Sequence, residues 1–126
     1  MKLLLDTHAF IWWDSDPARL SVAALAALRD AANEVWLSVA SVWEIAIKVA
    51  QNRIKIDPNI LLDGIAQSGF QLLPITAQHA LQTARLPLYH RDPFDRMLVA
   101  QAQVEPLHFL THDAALRPYG DAILVV

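Results

Sequence analysis

The sequence predicts an α/β domain with a central parallel sheet of four to five strands and helices on both faces. Three observations predict it. Short apolar runs alternate with longer helix-like segments along the chain. The first run, Lys2–Leu5, shows no polar alternation, as expected of a strand covered on both sides. The chain has 126 residues, 55% of them hydrophobic, which suits one domain with a sizeable core and is short for two.

The elements follow in order. After the Lys2–Leu5 strand, Asp16-Pro17 and Ser21 offer helix starts, and Val22–Ala31 is rich in Ala and Leu. Val35–Val39 reads as a second strand and Ser41–Gln51 as a helix. Asp57-Pro58 pairs an N-cap with proline at the first helical position, and Ser68-Gly69 ends that helix. Phe70–Ile75 is a third strand. Thr76 caps a helix to about Arg85, stopped by Pro87. Asp92-Pro93 opens a helix to about Val104. Leu107–Thr111 is a fourth strand and Ala122–Val126 a candidate fifth. No linker divides residues 1–126.

Open parallel sheets bind ligands beyond the carboxyl ends of their strands. Asp6, Thr7 and His8 follow the first strand. Ser38 follows the second, with Glu44 further along the next helix. Thr111 and Asp113 follow the fourth. Asp95 shares a helical stripe with Leu98, Val99 and Ala102, at i+3, i+4 and i+7, so it faces the core side. A charged Asp there costs several kcal/mol unless paired or metal-bound. Each acid also has a structural use. Asp6 and Asp113 suit turns or caps. Ser41 and Glu44 match a capping box, and Glu44 precedes Lys48 by four residues. Asp92 is the natural cap of its helix.

Two carboxylates about 4 Å apart repel by roughly 4 kcal/mol at an effective dielectric of 20. Four acids in one pocket therefore lie apart, share protons or bind a cation. Oxygen ligands favour Mg²⁺ or Mn²⁺, which acidifies bound water and offsets charge on a phosphate under attack.

Composition narrows the alternatives. Cysteine is absent, so disulfides and thiolate metal sites are excluded. The opening apolar run is interrupted by Asp6 and His8, unlike a secretory leader, and no apolar stretch is long enough for a membrane span; a cytoplasmic location is expected. The net charge of −3 is unusual for a nucleic-acid binder, although a bound cation inverts the local sign. Basic residues cluster as Lys48, Arg53 and Lys55, and as Arg85, Arg91 and Arg96. With only three glycines and no Gly-rich phosphate loop, nucleoside triphosphate use is not expected.

Several motifs together resemble the PIN-domain ribonucleases, in particular the VapC-type toxins of bacterial toxin–antitoxin pairs. They are Leu4-Leu5-Asp6-Thr7-His8, Ser41-Val42-Trp43-Glu44-Ile45, Asp113 after Thr111, and above all the run from His90-Arg91-Asp92-Pro93-Phe94-Asp95-Arg96 to Ala102. The resemblance spans essentially the whole chain. It implies a PIN fold and an endoribonuclease dependent on Mg²⁺ or Mn²⁺, with Asp6, Glu44, Asp95 and Asp113 as ligands. Asp92 competes with Asp95 for one place. It also implies an RNA substrate, a homodimer and a small antitoxin, VapB-like or other, that occludes the site.

Other residues carry weaker expectations. Thr7, Thr111, Arg91 and Arg96 are candidates to steady the acids or touch substrate, the arginines by clamping phosphate. Asp6 with His8, His90 with Asp92, and His112 with Asp113 could instead form a mixed His/carboxylate site for zinc or manganese. No His-Glu-x-x-His motif supports a zinc hydrolase. Trp12, Trp13, Trp36 and Trp43 suit core packing or a dimer interface better than base stacking. Two other functions compete: a catalytically inactive PIN-like module that binds RNA or protein, and an Asp-based phosphatase or phosphoacceptor. The latter lacks its Asp-x-Asp, since Thr7 and His8 follow Asp6.

Overall fold

A computed structural model describes residues 1–126. Five strands form one sheet: β1 (Lys2–Leu5), β2 (Glu34–Ser38), β3 (Gln71–Leu73), β4 (His108–Thr111) and β5 (Ile123–Val125). Their order is β3-β2-β1-β4-β5 and every pairing is parallel. The chain thus starts in the middle of the sheet and adds strands outward on either side. The expected parallel α/β architecture is present, and the candidate fifth strand extends it.

Six helices connect the strands: α1 (Thr7–Ser15), α2 (Val22–Arg29), α3 (Val39–Ala50), α4 (Leu61–Gln67), α5 (Ala77–Thr83) and α6 (Pro93–Val104). Strand alternation sends side chains to opposite faces. Leu3, Leu5, Val35, Leu37 and Leu110 pack with Phe10, Ala24, Leu28 and Ile65 on one face. Leu4 and Phe109 pack with Leu98, Val99 and Ala102 of α6 on the other. Both faces are therefore covered, which is why Leu3-Leu4-Leu5 carries no polar residue. No helix is long and apolar enough to cross a membrane.

Several boundaries differ from those expected. α1 was not anticipated, because Ala9–Trp13 reads as one apolar run; two of its rings turn inward against Phe70, Phe10 at 6.4 Å and Trp13 at 5.5 Å. α3 starts at Val39, not Ser41, since Ser38 ends β2 and its hydroxyl accepts the Ala40 N–H at 3.0 Å. Asp57 caps only a turn, through the Asn59 N–H, and α4 begins at Leu61. β3 is confined to three residues. Thr76 and Asp92 cap their helices as expected, Thr76 in a capping box with His79.

The two glycines near α4 give opposite expectations. Gly69 has φ +80°, a conformation costing other residues about 1–2 kcal/mol, so Gly69→Ala should lower the urea unfolding free energy by that amount. Gly64 lies within α4, where an added Cβ meets only Asp14 Oδ1 at 3.9 Å. Gly64→Ala should be neutral or stabilise by up to about 1 kcal/mol in the same measurement.

Candidate functional site

The site forms at the carboxyl edge of the central strands. Asp6 closes β1 and caps α1, its Oδ1 accepting the His8 N–H at 3.4 Å. Its Oδ2 accepts the Thr111 hydroxyl at 2.6 Å from the end of β4 and lies 3.5 Å from His112 Nδ1. Burial, the largest influence on this carboxyl, opposes its ionisation. Hydrogen bonds from His112 and Thr111, with the charges of His8 and His112, outweigh burial and hold its pKa below the ordinary value. His112 is raised in turn, chiefly by its hydrogen bond to Asp6.

Glu44 reaches the site from α3. Ser41 lies inside that helix and its hydroxyl accepts the Thr7 hydroxyl at 2.8 Å, so the expected capping box does not form. Glu44 Oε2 sits 3.3 Å from Lys48 Nζ, and neither side chain is more than 13% exposed. This i,i+4 pair is not the surface pair its spacing suggests. Lys48 also lies 3.2 Å from His8 Nε2. Glu44 Oε1 is buried with no hydrogen-bond partner. A carboxylate oxygen removed from water without a donor is costly, and a cation is one group that relieves it.

Asp92 and Asp95 divide their roles by geometry. Asp92 Oδ1 accepts the N–H groups of Phe94 at 2.8 Å and Asp95 at 3.1 Å, and its side chain is exposed. Asp95 turns inward, where its Oδ2 meets His90 Nε2 at 2.7 Å. Burial first, then the charges of Asp6 and Asp92, push its pKa to about 6 against the pull of His90. Asp113 caps the 3₁₀ turn Ala114–Tyr119 through the Ala115 N–H and donates its own N–H to Thr111 Oγ1 at 3.1 Å. One ligand atom each from His90, Asp95 and Asp113 lie within 4.8 Å of one another.

Asp6, Glu44, Asp95 and Asp113 thus share one electrostatic neighbourhood. Asp6 and Glu44 both act on His8; Asp6, Asp113 and Asp95 all act on His112; Asp6 acts on Asp95. His8 is lowered, first by burial and next by Lys48. Beside the acids runs a polar groove of about 340 Å³, whose lining includes His8, Glu44, Lys48, Gln51, Arg53 and Asp92. The donor set is mainly oxygen, and with the orphaned Glu44 Oε1 it fits a hard divalent cation.

The remaining candidates separate. Thr111 touches Asp6 directly, whereas Thr7 acts one step away through Ser41. Arg91 is exposed. Arg96 is committed elsewhere: its guanidinium donates to the carbonyls of Thr83, Leu86, Pro87 and His90 and to the Tyr119 hydroxyl. The phosphate-clamp expectation for Arg96 gives way to anchoring of the loop before α6. The histidines do not form the mixed site in the pairing expected, because His90 meets Asp95 rather than Asp92 and His8 meets Lys48. Trp13 packs on Phe70 and donates to Ser68, and Trp36 donates to Glu34. Trp12 sits 4.6 Å from His112 at the rim of the site, and Trp43 is 60% exposed beside Phe94.

His90 was weighed in the sequence against the wrong acid, for its nearest carboxylate along the chain is Asp92. A capping residue spends its oxygen on the first helical N–H groups, while the side chain at the third helical position folds back toward the segment before the cap. That pattern marks Asp95 as the partner of His90.

Comparison with known proteins adds an independent line. The family described as PIN domain matches residues 3–121. Ribonuclease VapC22 of Mycobacterium tuberculosis is 32% identical over 120 residues, covering 93% of this chain and 91% of that protein. Among solved structures, a chain of VapBC2 from Rickettsia felis, bound to a DNA fragment from its promoter, matches with a TM-score of 0.70 at 12% identity. That match covers 100% of this chain and 98% of the other. A chain of FitAcB from Neisseria gonorrhoeae matches with a TM-score of 0.61 at 25% identity, covering 93% and 91%.

The raised pKa of Asp95 has a measurable sign. Folded Asp95 keeps its proton to about pH 6, whereas the ordinary value is 3.8. Between those values the folded state binds more protons, so this group's contribution to stability falls as pH rises through the window. Asp95→Asn removes that contribution. In EDTA the variant should be more stable than the unsubstituted protein at pH 7, with the difference closing towards pH 4 in urea titrations. A difference independent of pH would contradict the crowding at Asp95.

Proposed function

The chain belongs to the PIN-domain family, and on that premise we propose that it is a Mg²⁺- or Mn²⁺-dependent endoribonuclease, the toxin of a VapC-type toxin–antitoxin pair. The observation that carries the reading is the gathering of acids at the carboxyl edge of the sheet: Asp95 and Asp113 offer ligand atoms within 4.8 Å of each other, Asp6 acts on Asp95, and Glu44 holds a buried, unpartnered carboxylate oxygen beside His8. The 32% identity to a protein named as a ribonuclease supports RNA as substrate. The VapBC2 and FitAcB structures among the structural relatives support a small antitoxin as partner. Action in the cytoplasm and a homodimeric state belong to the same reading.

In this reading the four acids hold the cation. When bound, it supplies Lewis-acid stabilisation of the phosphate and a more acidic water for in-line attack. The chain's own residues do the rest. Thr111 fixes the Asp6 carboxylate by donating to Oδ2. The Thr7–Ser41 hydrogen bond ties α1 to α3, and so sets Asp6 relative to Glu44. Asp92 fixes the first turn of α6, which carries Asp95. Lys48 and Arg53 line the groove beside Glu44 and give an RNA phosphate positive partners within an acidic protein.

Incubation of RNA with the full chain tests the proposal directly. Cleavage is expected with Mg²⁺ or Mn²⁺ and not with EDTA, and Asp6→Asn or Asp95→Asn should each lower the rate by at least about 100-fold. Cleavage that persists in EDTA, or at full rate in both variants, would overturn the assignment. RNA binding without cleavage under any metal would favour the inactive module.

A further inference from the structure

We propose that His90 is a nitrogen ligand of the bound cation, so that the site prefers a first-row transition-metal dication such as Mn²⁺ over Mg²⁺. The inference rests on the metal-centred reading above and adds a ligand that the four-carboxylate set lacks.

Three observations carry it. His90, Asp95 and Asp113 offer ligand atoms within 4.8 Å of one another, and His90 Nε2 lies 2.7 Å from Asp95 Oδ2. The 2.7 Å separation suits two neighbouring donors on one ion at roughly 2.0–2.2 Å from each. Second, His90 is delivered to the acids by a built framework. Its N–H donates to the Tyr119 hydroxyl at 3.0 Å, and its carbonyl accepts from Arg96 at 3.3 Å. Tyr119 donates onward to the Pro87 carbonyl, and Arg96 also holds the Leu86 and Pro87 carbonyls of the same loop and that of Thr83 at the end of α5. Third, the nearby histidines are differently engaged: His8 contacts Lys48, and His112 contacts Asp6 through Nδ1.

The chemistry follows from the donor types. Imidazole nitrogen raises affinity for Mn²⁺, Fe²⁺, Co²⁺ and Zn²⁺, whereas Mg²⁺ takes oxygen donors and keeps much of its water. Ligation needs the lone pair of Nε2, so the ring proton sits on Nδ1 in the bound state. A cation held there would take the place of the proton shared between His90 Nε2 and Asp95 Oδ2.

Mn²⁺ binding to the full chain, followed by electron paramagnetic resonance, separates the outcomes. Bound Mn²⁺ should show hyperfine coupling to one ¹⁴N in pulsed spectra. The coupling should vanish in His90→Asn and persist in His8→Asn, both checked for folding by circular dichroism. Displacing Mn²⁺ from the unsubstituted protein should need on the order of tenfold or more excess Mg²⁺, and His90→Asn should narrow that ratio. If His90→Asn does not fold, His90→Gln serves the same comparison. Bound Mn²⁺ without nitrogen coupling, or coupling that survives loss of His90, overturns the inference and leaves the metal-dependent nuclease standing. Failure of Mn²⁺ to bind at all overturns both.

Discussion

The hydrogen bond from Thr111 to Asp6 joins residues 105 apart in sequence and sets the geometry of everything around it. It exists because β1 and β4 are parallel neighbours in register, with Leu5 opposite Leu110 and the Asp6 N–H continuing the ladder to the Leu110 carbonyl. The same hydroxyl receives the Asp113 N–H, so one threonine aligns two of the acids. Burial works against a charge on Asp6, and the donors around it offset that cost. Without this link Asp6 would keep only His112 and the His8 N–H against the cost of its burial.

Around that fixed point the remaining acids arrive by short-range devices. Ser38 starts α3 immediately after β2, which brings Glu44 round to the buried side. Asp92 starts α6 and leaves Asp95 to face inward. The result is a concentration of negative charge that the protein relieves only in part, through Lys48 at Glu44 and through His90 and His112 at the two aspartates. A cation bound among these acids would stabilise the fold as well as serve the proposed chemistry.

Much of this was legible in the sequence because it depends on local patterns. Leu3-Leu4-Leu5 marked a strand buried on both faces, and the parallel order followed from alternation of strands and helices. The stripe of Asp95 with Leu98, Val99 and Ala102 separated it from Asp92, and all three apolar residues are buried. What stayed hidden depends on contacts between distant segments. α1 has an apolar run with no helical period, because its rings serve both the core and the rim of the site. Ser41 matched a capping box by spacing, yet Ser38 was one turn earlier and Thr7 took the Ser41 hydroxyl. Arg96 lay in a motif rich in charge, and only the folded loop shows that carbonyls surround it. The pairing of His90 with Asp95 required the turn of chain around the cap, which linear distance misrepresents.

The central claim is that Asp6, Glu44, Asp95 and Asp113 form one cation site. Crystals of the full chain soaked in Mn²⁺, measured at a wavelength where manganese scatters anomalously, address it most directly. The expected result is an anomalous peak bounded by the carboxylates of Asp6, Glu44, Asp95 and Asp113. A well-phased map with no peak there, or with manganese bound only at the outer surface, would contradict the claim.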